Sequence, residues 1–246
     1  MLDVNLNWAE RGPEHLVQFF GGDDARLGRN VTRFLNDSLR NGGAAIVIAG
    51  PERREAISGG LLSGQVVCLD AKETLAMLLD GDGQPDPVRF EASCGALARE
   101  LHEKYGRLRC YGEMVGVLWS QKSFAAAIAL EALWDTLIHS IGFDIFCGYP
   151  IDVLSEHFQL ACVRPLLDSH TRVVPAVAHN FNNAMRSAID DVLGNHNDGL
   201  RSLTLARSAS LETFVPTAEQ MILRLRSTLP RYADEILAKA QEYAQA

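Results

Sequence analysis

Leu108-Arg109-Cys110-Tyr111-Gly112-Glu113-Met114-Val115-Gly116-Val117-Leu118-Trp119 begins as an apolar, strand-like run and then sets a single carboxylate directly behind a glycine. Glu113 stands where the run should leave its sheet. In an open α/β sheet, ligands collect outside the carboxyl ends of the strands, so a charge at a strand exit is a natural candidate for binding. The competing structural reading is a glutamate that caps a helix or closes a loop.

Working outward, the same alternation recurs on both sides. His15–Phe20 reads as a short strand, followed by a helix from about Asp24 to Leu39 that ends at Asn41-Gly42-Gly43. Ala44–Ala49 is continuously apolar, as expected of a strand covered on both faces. Gly50-Pro51-Glu52 opens the next helix, with proline at an early helical position. Gln65–Leu69 is a third strand and Ala71–Leu79 a helix, and Gly81–Pro87 has loop chemistry. A helix over about Pro87–Lys104 leads into the opening segment, the fourth strand. The next helix carries Leu130, Leu133, Trp134, Leu137, Ile138 and Ile141 on one face, and Phe143–Pro150 is a fifth strand. This β-α rhythm predicts an α/β fold with a mainly parallel sheet and helices on both faces.

After Pro150 no convincing strand remains. Ile151 to about Ser169 reads as helical with a kink or break at Pro165, then Pro175–Leu193 and Leu200–Gln245. In the last segment Val215, Ala218, Ile222, Leu225, Leu229, Tyr232, Ile236 and Tyr243 repeat at spacings of three and four, with a kink expected at Pro230. That heptad-like seam suits a helical hairpin or a dimeric bundle. The expected division is an α/β domain over 1–169 and an all-α unit over 170–246.

A net charge of −8 excludes a general basic footprint for nucleic acid. The amino terminus lacks the basic and apolar regions of a secretion signal, and no apolar run reads as long enough to span a bilayer. Five scattered cysteines form no C-x-x-C pair; Cys68, Cys110 and Cys147 sit in apolar runs where cysteine acts as a small hydrophobe. A cytoplasmic protein without disulfides, metal or cofactor is expected. Neither G-x-x-x-x-G-K-[ST] nor a G-x-G-x-x-G after a strand occurs, and Pro51-Glu52 is poorly suited to hold phosphate at a helix start.

Several motifs occur in a telling order. These are His15-x-x-Gln18-Phe19-Phe20-x-x-Asp23-Asp24, Val47-Ile48-Ala49-Gly50-Pro51-Glu52-x-Arg54 and Leu69-Asp70-Ala71-x-Glu73-Thr74-Leu75. Tyr111-Gly112-Glu113-Met114-Val115 with Leu118-Trp119, Leu130-Glu131-x-Leu133-Trp134 and Phe146-Cys147-Gly148-Tyr149-Pro150 follow. Together they resemble the MEDS domain, a sensory domain of methanogens and methylotrophs, over about residues 14 to 155. The resemblance implies a RecA-like α/β fold that has lost its P-loop, and sensing of a small organic molecule. The family usually has tyrosine where this chain has Phe20, and an acidic or polar residue at Gly21-Gly22. His15, Gln18, Asp23, Glu113 and Trp119 are the candidate ligand-binding residues. Each has a structural alternative: His15 pairing at a sheet edge, Asp23 and Asp24 capping a helix, Trp119 packing in the core.

Ala178-His179-Asn180-Phe181-Asn182-Asn183 resembles the phosphoacceptor box of one group of sensor histidine kinases, with Asn180 replacing an acidic residue. With Val174, Val177, Phe181, Ala184 and Ala188 as the buried seam, His179 falls on the outer face, where phosphotransfer needs it. The nucleotide boxes of a kinase are missing, so autophosphorylation is not expected. His170 and His196 read as solvated loop residues. The expected function is signal transduction, with His179 accepting phosphate or docking a histidine kinase or response regulator, and a homodimer formed through the C-terminal helices. Two other readings stay open: a non-catalytic scaffold or kinase-inhibiting module, and a residual nucleotide-binding protein.

Overall fold

In a computed structural model, residues 12–21, 24–194 and 214–245 are described. Six parallel strands form one sheet: β1 (His15–Phe19), β2 (Ala44–Ala49), β3 (Gln65–Asp70), β4 (Leu108–Gly112), β5 (Asp144–Tyr149) and the short β6 (Arg172–Val173). Their order across the sheet is β3-β2-β4-β5-β1-β6. The buried strands β2, β4 and β5 are apolar along nearly their whole length because helices cover both faces.

One face is covered by α1 (Asp24–Arg40) and α2 (Pro51–Ser58), through Leu27, Val31, Phe34, Leu35 and Ile57 against Leu16, Val47, Tyr111 and Phe146. The opposite face takes α3 (Ala71–Leu78), α4 (Pro87–Phe90), α5 (Ala96–Tyr105), α6 (Met114–Ser120) and α7 (Phe124–Ile141). Asp70 and Asp86 start α3 and α4 by accepting from backbone N–H groups of the first turn. Gly106 and Gly142, both left-handed, end α5 and α7 and turn the chain into β4 and β5. Between α4 and α5 a π-helical turn (Glu91–Gly95) divides the single helix expected there.

Several sequence expectations are corrected. The fourth strand leaves the sheet at Glu113 as expected, but Met114–Ser120 forms a helix not read in the sequence, α6, which Glu113 begins at φ −113°, ψ −2° and which buries Met114, Val115 and Leu118. A Cβ at Gly116 would lie 2.5 Å from the Gly148 carbonyl, so glycine is required for this helix to approach β5. Residues 151–159 are turns, organised by Asp152 accepting from the Leu154 N–H, and helix α8 (Leu160–Asp168) continues through Pro165. The chain after His170 forms a strand that was not expected, β6, pairing with β1. The next helix, α9 (Phe181–Leu193), begins later than expected because Val174 N–H bonds the Val17 carbonyl and Ala176 N–H the Glu219 carboxylate, holding the approach extended. The last segment is interrupted at Pro230, giving α10 (Thr217–Thr228) and α11 (Ala233–Gln245). Its seam residues Ile222, Leu225 and Ile236 pack within the chain, in the same cluster as Phe181, Met185 and the sheet. The expectation that no run could span a bilayer is also corrected. By length and composition α7 is apolar enough, yet it lies on the sheet with Leu130, Glu131, Trp134 and Ile138 buried.

Candidate functional site

Glu113 sits where the connections from β2 and β4 diverge. α2 leaves β2 toward one face and α6 leaves β4 toward the other, which makes this crevice the switch point of the sheet. The Glu113 N–H bonds the Ile48 carbonyl and fixes the residue against β2. Its carboxylate is taken up by the chain itself. Tyr111 donates its hydroxyl to Oε1 at 2.7 Å, Arg53 forms an ion pair with the same oxygen, and the Gly50 N–H donates to Oε2 at 3.2 Å. Gly148 lets Tyr111 reach that far, since a Cβ there would meet the phenol oxygen at 2.7 Å. Burial and the adjacent carboxylate push the Tyr111 hydroxyl well above its usual range, keeping it a donor. Glu113 is therefore the resident anion at the start of α2, in the place a phosphate would need.

Next to this clasp, the Arg53 guanidinium lies 4.4 Å from the Phe20 ring centroid. Phe20 in turn lines a cleft of about 440 Å³ at the carboxyl end of β1. Gln18, Arg26 and Asp152 bring polar groups from the α/β part, while Val177 from the approach to α9, Phe181 from α9 and Ala244 from α11 close it on the other side. Gln18 is held by the Asn30 amide, which donates to its Oε1 at 3.0 Å. Asn180, next to the cleft, donates to the Ala244 carbonyl at 2.9 Å, tying the start of α9 to the end of α11.

On the α7 side of the sheet lies a second constellation. The two-residue period of a strand turns His15 to the same face as Val17 and Phe19, and Cys147 to the same face as Ile145 and Tyr149. Glu131 descends onto them from α7, and His170 arrives from the end of the loop before β6. The shortest contacts are His15 Nε2 to Glu131 Oε2 at 3.1 Å and His170 Nε2 to Glu131 Oε1 at 3.4 Å. Cys147 Sγ lies 3.5 Å from His15 Nε2 and 3.6 Å from Glu131 Oε2. Both imidazole side chains and the carboxylate have no solvent exposure, and the two rings lie tilted at 47° with centroids 4.1 Å apart. Tyr149 donates to Glu131 Oε1 at 2.5 Å. Burial works to raise the Glu131 carboxyl, but His170, His15 and the Tyr149 hydroxyl outweigh it and hold it at about 2. Burial pushes His170 down to about 4.

The residues singled out in the sequence thus divide. Gln18 lines the cleft, Glu113 forms the clasp beside it, and His15 belongs to the buried cluster. Trp119 packs edge-on against Tyr149 at 5.7 Å, next to that cluster. Asp23 lies outside the described residues, as do His196 and the stretch from Leu200 into the last predicted helix. His179 is exposed in the turn before α9, not inside the helix as expected, and Asn180 engages Ala244. His170 is corrected outright: it is buried, because its ring packs between His15 and Tyr149. Sequence reasoning missed Glu131, Cys147, Tyr149 and His170. One signal was available: Glu131 shares a helical face with Ala127, Trp134 and Ile138, where a charge has no place unless it is partnered.

Fold and site define an all-parallel α/β protein whose strand-exit carboxylate is satisfied by its own chain. Residues 14–171, more than half of the sequence, match the MEDS family, described as the MEthanogen/methylotroph, DcmR Sensory domain, and the chain belongs to it. Membership carries a sensory role in signal transduction. No curated protein and no solved structure gives a match.

Proposed function

We propose that this chain senses a small organic molecule in the cleft at the carboxyl end of β1 and passes the signal to its C-terminal helices. The observation that carries this reading is the lining, which draws on both the family-matched region and α9 and α11. A ligand touching both parts favours one packing over another only if its affinity differs between them. The lining mixes apolar walls (Phe20, Val177, Ala244) with Gln18, Arg26 and Asp152, which fits a compact, partly apolar molecule with one polar end. Thermal unfolding against a panel of short-chain alcohols, amines and carboxylic acids tests it. A true ligand raises the transition saturably, by about 2.7 kcal/mol of stability at a hundredfold excess over Kd. Ala244→Trp, which fills the cleft, should abolish the response; a response that survives the plug removes the cleft from the reading.

A second reading concerns output. His179 is exposed and adjoins Ala178, which lines the cleft, so its presentation to a histidine kinase or response regulator depends on the same surroundings. Incubation with a phosphorylated receiver or donor kinase separates phosphate acceptance from simple docking: acceptance requires that His179→Ala lose the label. A homodimer through the C-terminal helices would use faces that the intrachain seam leaves free, and native mass spectrometry reads it. All five cysteines are free thiols, in keeping with a reducing cytoplasmic setting. The nucleotide-binding alternative is disfavoured by the Glu113 carboxylate at the start of α2, and calorimetry with ATP and magnesium checks it.

A further inference from the structure

The buried cluster has the composition and the dimensions of a metal shell. Zinc bonds of about 2.0–2.1 Å to nitrogen or oxygen and about 2.3 Å to sulfur place tetrahedral donors about 3.2–3.7 Å apart. The contacts among His15 Nε2, Glu131 Oε2 and Cys147 Sγ run from 3.1 to 3.6 Å, His170 Nε2 lies 3.4 Å from the other carboxylate oxygen, Oε1, and a ligand atom from each of the four residues lies within 4.8 Å of the others.

The surroundings prepare each donor. His170 Nδ1 lies 2.6 Å from the Leu166 carbonyl, which fixes its proton on Nδ1. Nε2 is left as a lone pair aimed into the cluster, buried and without a hydrogen-bond partner. His15 Nδ1 is buried without a hydrogen-bond partner, 3.7 Å from Asp135 Oδ1, and Nε2 lies on the inner side. The Tyr149 hydroxyl occupies Glu131 Oε1, so Oε2 is the oxygen directed at His15 and Cys147. Outer contacts of this kind, from the Leu166 carbonyl and the Tyr149 hydroxyl, orient and tune metal ligands. Charge gives an independent argument. The ionic contacts of Glu131 among the described residues are both imidazoles, and a wholly buried carboxylate needs a compensating cation. A divalent ion with one carboxylate, one thiolate and two neutral imidazoles is neutral overall.

We propose that His15, Glu131, Cys147 and His170 form a closed binding site for a divalent metal ion of the zinc class. On binding, the Cys147 thiol releases its proton to solvent and sulfur bonds the ion. Four protein donors leave no open position, so the ion's role is to tie α7 and the loop before β6 to β1 and β5. That loop leads through β6 to the C-terminal helices. The proposal departs from the sequence expectation of no metal and is independent of the cleft reading.

Cobalt is the probe, because it substitutes for zinc and reports its ligands spectroscopically. Protein produced in cobalt-supplemented medium and desalted should carry one cobalt per chain, with a sulfur-to-cobalt charge-transfer band and tetrahedral ligand-field absorption. Zinc-supplemented medium should give one zinc per chain. Cys147→Ser should lose the charge-transfer band, whereas Cys110→Ser, a buried thiol on the neighbouring strand, should keep it. Tyr149→Phe should weaken metal affinity roughly 10- to 100-fold while preserving the tetrahedral spectrum. Folded wild type that emerges metal-free from both media overturns the proposal, as does a charge-transfer band that persists in Cys147→Ser. If that variant does not fold, the metal content and spectrum of wild type decide alone.

Discussion

Glu113 and Glu131 are two carboxylates of one sheet with opposite surroundings. Glu113 stands at a strand exit, partly reached by solvent, with a guanidinium, a phenol and a backbone amide already on its oxygens. Glu131 is sealed under a helix, and its partners are two imidazoles, a thiol and a phenol. A guanidinium stays charged at any physiological pH, so the Glu113 clasp is a finished ion pair. Imidazoles and a thiol exchange protons and bind metals, so the Glu131 cluster retains chemical capacity. Position in the fold marked the first residue as the candidate; the chemistry of the partners favours the second.

The sharpest way to break this contrast is truncation of the buried acid. Glu131→Ala strips the cluster of its anion and leaves the buried His15 imidazole and Tyr149 hydroxyl without their acceptor, at a cost of about 3–5 kcal/mol in urea unfolding. A cost below about 1 kcal/mol would show that the cluster is no interdependent unit.

A third acid, Glu219, supplies an intermediate case. It is fully buried, accepts the Ala176 N–H at 2.8 Å, and burial raises its carboxyl from 4.5 to about 7, with Arg26 and the backbone donors opposing. The folded state therefore holds this proton more tightly than the unfolded state does. Its contribution is greatest below pH 4.5 and declines as pH rises toward 7, by about 3 kcal/mol in all at 1.36 kcal/mol per unit. Glu219→Gln keeps an acceptor for Ala176 and removes the titration. It should be more stable than wild type at pH 8 and should flatten the loss between pH 5 and 7, measured by denaturant midpoints across that range. An unchanged slope would mean that Arg26 or solvent compensates the charge.

Much of this arrangement was legible before any coordinates. Ala44–Ala49 and Phe143–Tyr149 announce covered parallel strands by continuous apolarity, and glycines at 106 and 142 mark where helices stop. The exit of β4 at Glu113 is legible in the same way, but helix α6 is not, because Met114-Val115-Gly116-Val117-Leu118 is as apolar as a strand, and only its burial against β5 distinguishes the two. Two-residue β6 falls below any periodic signal, being fixed by Thr171 and Val174 bonding to the His15 and Val17 carbonyls. The cluster was illegible for a related reason. Its members lie at positions 15, 131, 147 and 170, so their spacing carries no motif and only the order of strands assembles them.

Mutation of the clasp should be milder than either buried change. Glu113→Gln keeps oxygen and shape but loses the charge opposite Arg53, whose guanidinium stays partly solvated and packed on Phe20. Screening limits the loss to about 1 kcal/mol. A loss as large as that of Glu131→Ala would erase the contrast and return Glu113 to the centre of the argument.

The smallest effect leaves stability untouched and concerns the thiols. Cys68 and Cys162 are exposed, while Cys94, Cys110 and Cys147 are buried. Only a thiolate attacks a disulfide reagent, and burial raises all three of the inner thiols: Cys94 to about 11, and Cys110 and Cys147 well above the usual thiol range, Cys147 with the Glu131 charge beside it. Native protein should therefore show two fast-reacting thiols in a disulfide-exchange assay and five after denaturation. The comparison between clasp and cluster rests on the cluster being closed. A third fast thiol, lost in Cys147→Ser, would reveal solvent reaching the face of the sheet beneath α7. The carboxylate there would then be screened as Glu113 is, and the need for a compensating cation would fall away with it.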